Sequence, residues 1–145
     1  MNSYKHKVQY YETDQMGIVH HSNYIRWFEE ARIDMMDQMG LSYAQMEKMG
    51  IVSPVLGVEA DYLRMIHFGG TVTIEAAIKE YNGIKLEIFY RVIDDKTEMV
   101  HCRGLTRHCF LNQKGRPISL KKDFKEIHEM FMNNFKKDAD TTPEK

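Results

Sequence analysis

The chain is short of the residues that mark several protein classes. Only two of its 145 residues are cysteine, and Cys102 and Cys109 fall on one predicted strand, where an odd separation places them on opposite faces. A bond between them along that strand is excluded, and buried thiols are expected. Three prolines and no low-complexity block exclude a long disordered chain, although the last ten residues read as a tail. Neither sign of charge dominates: twenty basic residues face twenty-one acidic ones, so no broad positive field exists to hold a nucleic-acid backbone. No run approaches the roughly 20 apolar residues of a membrane span, and the polar start Asn2-Ser3-Tyr4-Lys5 does not resemble a signal peptide. A soluble, cytoplasmic protein is expected. A glycine-rich phosphate loop is missing, as are His-Glu-x-x-His and Cys-x-x-Cys spacings, so no cofactor and no metal site is expected.

What is present is one domain's worth of periodic segments, predicted to span residues 1–135, with 136–145 as a fraying, disordered tail. Lys7 to Tyr11 reads as a short strand that stops at Glu12-Thr13-Asp14. From Tyr24 the apolar residues Tyr24, Trp27, Phe28, Ala31, Met35 and Met39 form one helical stripe, with Ser22 or Asn23 as candidate cap and Gly40 as the stop. Ser42 to Met49 fits a second, short helix capped by Ser42. The period then changes to two. Val58, Ala60 and Tyr62 are predicted to face inward on one strand, and Val72, Ile74, Ala76 and Ile78 on the next. Asn82-Gly83 marks a tight hairpin into Leu86, Ile88, Tyr90 and Val92, and Met99 to Leu111 supplies a further strand. Leu120, Phe124, Ile127, Phe131 and Phe135 are spaced for a terminal helix. The order predicts an α+β domain with an antiparallel sheet.

The stretch from Asp14 to Tyr24 carries the candidate chemistry. An aspartate in a turn commonly bonds its own backbone, yet here Gly17 allows close approach and a helix begins at His21 to Tyr24. A helix start offers unpaired amides and partial positive charge. A carboxylate facing such amides can attack a carbonyl, or activate water to do so, while the amides hold the oxyanion. His20 and His21 are either solvent-exposed or packing histidines, or substrate neighbours, with His21 the better placed at the helix entrance. Glu29 flanks the apolar stripe and is the candidate second carboxylate, whereas Glu30 shares the solvated back face with Arg26.

These residues resemble the hotdog-fold acyl-CoA thioesterases of the 4-hydroxybenzoyl-CoA thioesterase and YbgC type. The family pattern Thr-Asp-x-x-Gly-x-Val-x-His-x-x-Tyr is met by Thr13, Asp14, Gly17, Val19, His21 and Tyr24. The likeness continues through Phe28-Glu29-Glu30-Ala31-Arg32, Val58 to Arg64, and Arg107 to Leu111. The resemblance implies a hotdog fold, in which an antiparallel sheet wraps a long helix, and assembly into homodimers or homotetramers. It also implies an acyl-CoA substrate, with coenzyme A as part of that substrate and no separate cofactor. Asp14 is then the catalytic carboxylate, with an amide at or next to His21 as the oxyanion donor and the His21 side chain near the acyl group. Asp14 and His21 are thus the expected catalytic residues, and Gly17, Tyr24 and Glu29 are expected to bind substrate. An acyl-carrier-protein thioester, or a non-catalytic acyl-binding role, are the alternatives this resemblance leaves open.

Overall fold

The computed structural model describes residues 1–141. Five strands form one antiparallel sheet in the order β1-β3-β4-β5-β2, where β1 is Asn2–Lys7, β2 Val55–Tyr62, β3 Thr71–Tyr81, β4 Lys85–Asp94 and β5 Val100–Cys109. The long helix α1, Ser22–Gln38, packs against β1 and β3. Helix α2 is Tyr43–Lys48, α3 the single turn Leu120–Asp123, and α4 Lys125–Thr141.

The helical stripe predicts the buried face of α1 well. Tyr24, Trp27, Phe28, Ala31 and Met35 are all buried. Phe28 stacks on Tyr90 of β4, with ring centroids 4.5 Å apart, and covers Gly104 of β5, where an added Cβ would lie 2.3 Å from the Phe28 ring. A side chain at residue 104 would therefore lift the helix from the sheet. The two inner strands alternate as their pattern predicts, with Val72, Ile74, Ala76 and Ile78 of β3 and Leu86, Ile88, Tyr90 and Val92 of β4 buried. Asn82 closes the hairpin between them: its Oδ1 accepts from the amides of Ile84 and Lys85 at 2.9 and 2.8 Å, and Gly83 takes φ of 91°. Ser42 caps α2 reciprocally with Gln45.

Three expectations are corrected and one is qualified. The first strand ends at Lys7, and Tyr10–Glu12 form a 3-10 turn, because the Glu12 carboxylate folds back to accept the Gln9 amide at 2.8 Å. Neither Ser22 nor Asn23 caps α1. His21 occupies the cap position with helical φ of −55° and ψ of −29°, and Ser22 and Asn23 lie inside the first turn. Strand β2 is an edge strand paired only with β5, so Val58 and Tyr62 stay 37% and 47% exposed, although their face is the inward one: Ala60 packs on the core and the Tyr62 ring lies 5.1 Å from that of buried Tyr24.

The third correction is the tail. Helix α4 continues through Thr141, well past residue 135. The cause is Asp138. β1 last pairs β3 at Asn2 opposite Ala76, which leaves the amide of Ile78 beyond the strand's reach, and the buried Asp138 carboxylate accepts it at 2.9 Å. A buried amide without an acceptor is costly, so the last turns of α4 are fixed to the sheet. Residues 142–145 lie outside the described residues. Leu120, Ile127 and Phe131 are buried as the spacing predicts, and Phe131 packs 5.3 Å from Tyr81, centroid to centroid. Cys102 is buried and Cys109 half-buried, both as free thiols.

Candidate active site

Asp14 sits on a turn built by its own neighbours. Its amide donates to Ile18 O at 2.9 Å and its carbonyl accepts from Gly17 N at 3.0 Å, while Gly17 adopts φ of 75°, which a side chain would oppose. One carboxylate oxygen, Oδ1, accepts the Met16 amide at 2.8 Å. The local backbone role common to turn aspartates is thus real, yet it uses one oxygen, and Asp14 is exposed. Thr13 bridges Val19 in antiparallel fashion, which brings the chain back toward the helix.

The turn is held to α1 by a residue without a role in the sequence reading. Glu12, 4% exposed, accepts Trp27 Nε1 at 2.7 Å through one oxygen and both His6 Nε2 and the Gln9 amide, each at 2.8 Å, through the other. Burial pushes its carboxyl up, but the bonds from Gln9, His6 and Trp27 outweigh burial and hold it below the ordinary glutamate value. Asn23, also buried, adds a second tie: its side-chain amide donates to Glu12 O at 2.8 Å.

A cavity of about 430 Å³ opens beside the turn. Asp14, His20, His21, Tyr24, Tyr62 and Arg64 line it together with Ile18, Val19, Leu63 and Met65. Asp14, His21 and Tyr24, all expected at the site, are therefore brought together. Gly17 shapes the turn without lining the cavity, and Glu29 is exposed on α1 and does not reach it. Tyr62 and Arg64, from β2 and the loop after it, were missed: nothing local in their sequence points to a segment some 40 residues away.

The helix start narrows to one available donor. The Ser22 amide donates to His20 Nδ1 at 3.2 Å, the Asn23 amide to His20 O at 3.0 Å and the Tyr24 amide to His21 O at 3.3 Å. Among the described residues the His21 amide has no acceptor. Its direction is fixed from the other side of the same peptide. The His20 carbonyl is held by the Asn23 amide and by Asn23 Nδ2 at 3.4 Å, and in a trans peptide the N–H points the opposite way. Tyr62 Oη donates to His21 O at 3.3 Å. Burial, then Cys102 and Tyr62 nearby, raises the hydroxyl of Tyr24 above the usual phenol value, and that of Tyr62 is raised by burial and then Cys102. Both stay protonated. The Cys102 thiol, pushed up to about 12 by burial and then by Asp61, is no nucleophile.

The sequence pattern of the thioesterase-like superfamily matches residues 8–135. The chain belongs to the thioesterase-like superfamily. It is 34% identical over 125 residues to YneP of Bacillus subtilis (strain 168), named for an acyl-CoA thioesterase, covering 86% of this chain and 91% of that one. It is 25% identical over 118 residues to a 1,4-dihydroxy-2-naphthoyl-CoA hydrolase of Synechococcus sp. (strain WH7803), with 76% of each covered. A solved structure of a DHNA-CoA thioesterase from Staphylococcus aureus superposes with a TM-score of 0.90 at 28% identity, over 99% of this chain and 96% of that one. The sheet and long helix are those of the hotdog fold, and the superfamily makes the chain a thioester hydrolase.

Proposed function

We infer that the protein hydrolyses a small or medium acyl-CoA thioester to the free acid and coenzyme A, within the 4-hydroxybenzoyl-CoA and YbgC type of the superfamily. The observation that supports this reading is that Asp14 and His21, whose backbone amide has no acceptor among the described residues, line one cavity. Asp14 attacks the thioester carbonyl, directly or through a water whose proton it takes, and the His21 amide receives the oxyanion. The tetrahedral species collapses with loss of the coenzyme A thiolate, giving the free acid where water attacks, or, where Asp14 attacks, an acyl-aspartyl anhydride that a water then hydrolyses to the free acid and the Asp14 carboxylate. A thiol with a pKa of about 8.5 leaves without a strong acid, so one carboxylate and one donor suffice. Loss of one oxyanion donor costs about 2.7 to 4 kcal/mol in a serine protease, the scale expected of the His21 amide.

An aromatic acyl group is the favoured substrate among these. Tyr24 and Tyr62 present rings 5.1 Å apart at the cavity, His21 lies 6.2 Å from Tyr62, and relatives carry the name of a naphthoyl-CoA hydrolase. Coenzyme A then runs out of a groove completed by a second copy of the chain. The free edge of β2, with Val55, Leu56 and Val58 exposed, supports a dimer formed there. Release of free thiol from a panel of aliphatic and aromatic acyl-CoAs tests the reading. Asp14→Asn should cut turnover severely, and full activity in that variant overturns the assignment.

A further inference from the structure

His20 shares the cavity wall with Asp14 and His21, and its ring stacks on His21 with centroids 4.2 Å apart. Its tautomer is fixed by a neighbour that has no other evident task. The Ser22 backbone amide lies 3.2 Å from His20 Nδ1 with donor geometry, and an amide N–H can only donate. Nδ1 is therefore an acceptor. The Ser22 hydroxyl, 2.9 Å from the same nitrogen, must then donate as well. With Nδ1 bearing no hydrogen, the proton of the neutral ring is on Nε2.

We propose that Ser22 is a positioning residue that locks His20 as the Nε2–H tautomer, and that this N–H is a second hydrogen-bond donor to the thioester carbonyl oxygen beside the His21 amide. The proposal rests on the hydrolase reading above. A main-chain donor and a side-chain donor on adjacent residues form a two-pronged oxyanion site, the usual number for acyl transfer. Ser22 acts only through His20. The first turn of α1 cannot supply the second donor itself, because the amides of Ser22, Asn23 and Tyr24 are already engaged.

Long-range proton–nitrogen correlation spectra of the 15N-histidine-labelled full chain read the tautomer directly. A bare Nδ1 and protonated Nε2 at His20 are expected, and in Ser22→Ala, which keeps the backbone donor but loses the hydroxyl, the two signals move part of the way toward those of mixed tautomers, with Ser22→Thr restoring them. Protonation of Nδ1 in the unsubstituted protein overturns the proposal. In kinetics, His20→Phe keeps the stack on His21 but removes the donor, and kcat should fall about tenfold with KM little changed. Ser22→Ala should fall by less, and Ser22→Ala combined with His20→Phe should be no slower than His20→Phe alone. Additive losses, or an unchanged rate in His20→Phe, overturn the proposal. Asp14→Asn separates the two levels: full activity there overturns the hydrolase reading, whereas full activity in His20→Phe overturns only this donor.

Discussion

Trp27 donates its indole N–H to the Glu12 carboxylate at 2.7 Å, joining the turn that carries Asp14 to the buried face of α1. The bond fixes the turn that carries Asp14 against the start of α1, the two parts of the proposed site. Three donors converge on Glu12, so Glu12→Gln exchanges an acceptor for a donor among donors. A loss of about 2 to 4 kcal/mol in denaturant unfolding is expected. The pH dependence follows from the lowered carboxyl. A carboxyl that is more acidic folded than unfolded stabilises above its unfolded value, about 4.3, and that stability is lost as pH falls through the folded value. Unfolding curves from pH 6 to pH 3 should show a steeper acid loss for the unsubstituted protein than for Glu12→Gln.

His108 on β5 carries a second acid sensitivity, at higher pH. Its ring is 2% exposed, bonds Thr106 Oγ1 at 2.8 Å, and is pushed down to about 4 by burial and then by Arg32. The unfolded chain takes up a proton near pH 6.5, the folded chain only near 4, so stability is full above 6.5 and falls as pH drops between those values. At pH 5 the loss is about 2 kcal/mol. Denaturation midpoints at pH 7 and pH 5 measure it, and His108→Gln should flatten the difference.

Gly104 tests the contact between helix and sheet. With an added Cβ 2.3 Å from Phe28, Gly104→Ala must displace the ring from its stack on Tyr90. A destabilisation of about 1 to 3 kcal/mol is expected, read from the denaturant midpoint. Phe28→Leu in the same chain should recover part of it, because a smaller side chain frees the space.

That Asp14, His21 and Tyr24 share one cavity, beside a turn shaped by Gly17, was legible because one short segment holds them, and the turn and helix that orient them are local. The buried stripe of α1 and the alternation in β3 and β4 were legible for the same reason: a period of 3.6 or 2 is set by neighbours in sequence. Glu12 was not, since its partner Trp27 lies fifteen residues on and a buried glutamate looks no different in sequence from a solvated one. Glu29 adjoins Phe28 in sequence, but about 100° of helix rotation turns it to solvent, and it does not line the cavity that holds Asp14. The exposure of Val58 and Tyr62 on β2 was not legible, because alternation says which residues share a face but not how completely a layer covers it. The tail failed at Asp138, whose acceptor role depends on where β1 stops relative to β3.

Asp138 accordingly decides whether α4 is docked along its whole length. Asp138→Ala leaves the Ile78 amide without its acceptor in a buried setting, and about 1 to 3 kcal/mol of stability should be lost. Hydrogen exchange locates the effect. The Ile78 amide and the last turns of α4 should exchange faster, while the amides of β4 and β5 keep protection up to the lowered global limit.

Asn23 ties stability to turnover. Its side-chain amide donates to Glu12 O at 2.8 Å and lies 3.4 Å from His20 O, so it holds the far side of the peptide whose N–H is the proposed oxyanion donor. Asn23→Asp keeps the shape but sets a carboxylate against two carbonyl oxygens. The repulsion turns or loosens the His20–His21 peptide, and kcat on the best acyl-CoA should fall at least tenfold, with a smaller change in KM. Asn23→Ser, able to donate to one carbonyl only, should lie between. A kcat in Asn23→Asp equal to that of the unsubstituted protein means the peptide is held by the helix backbone alone.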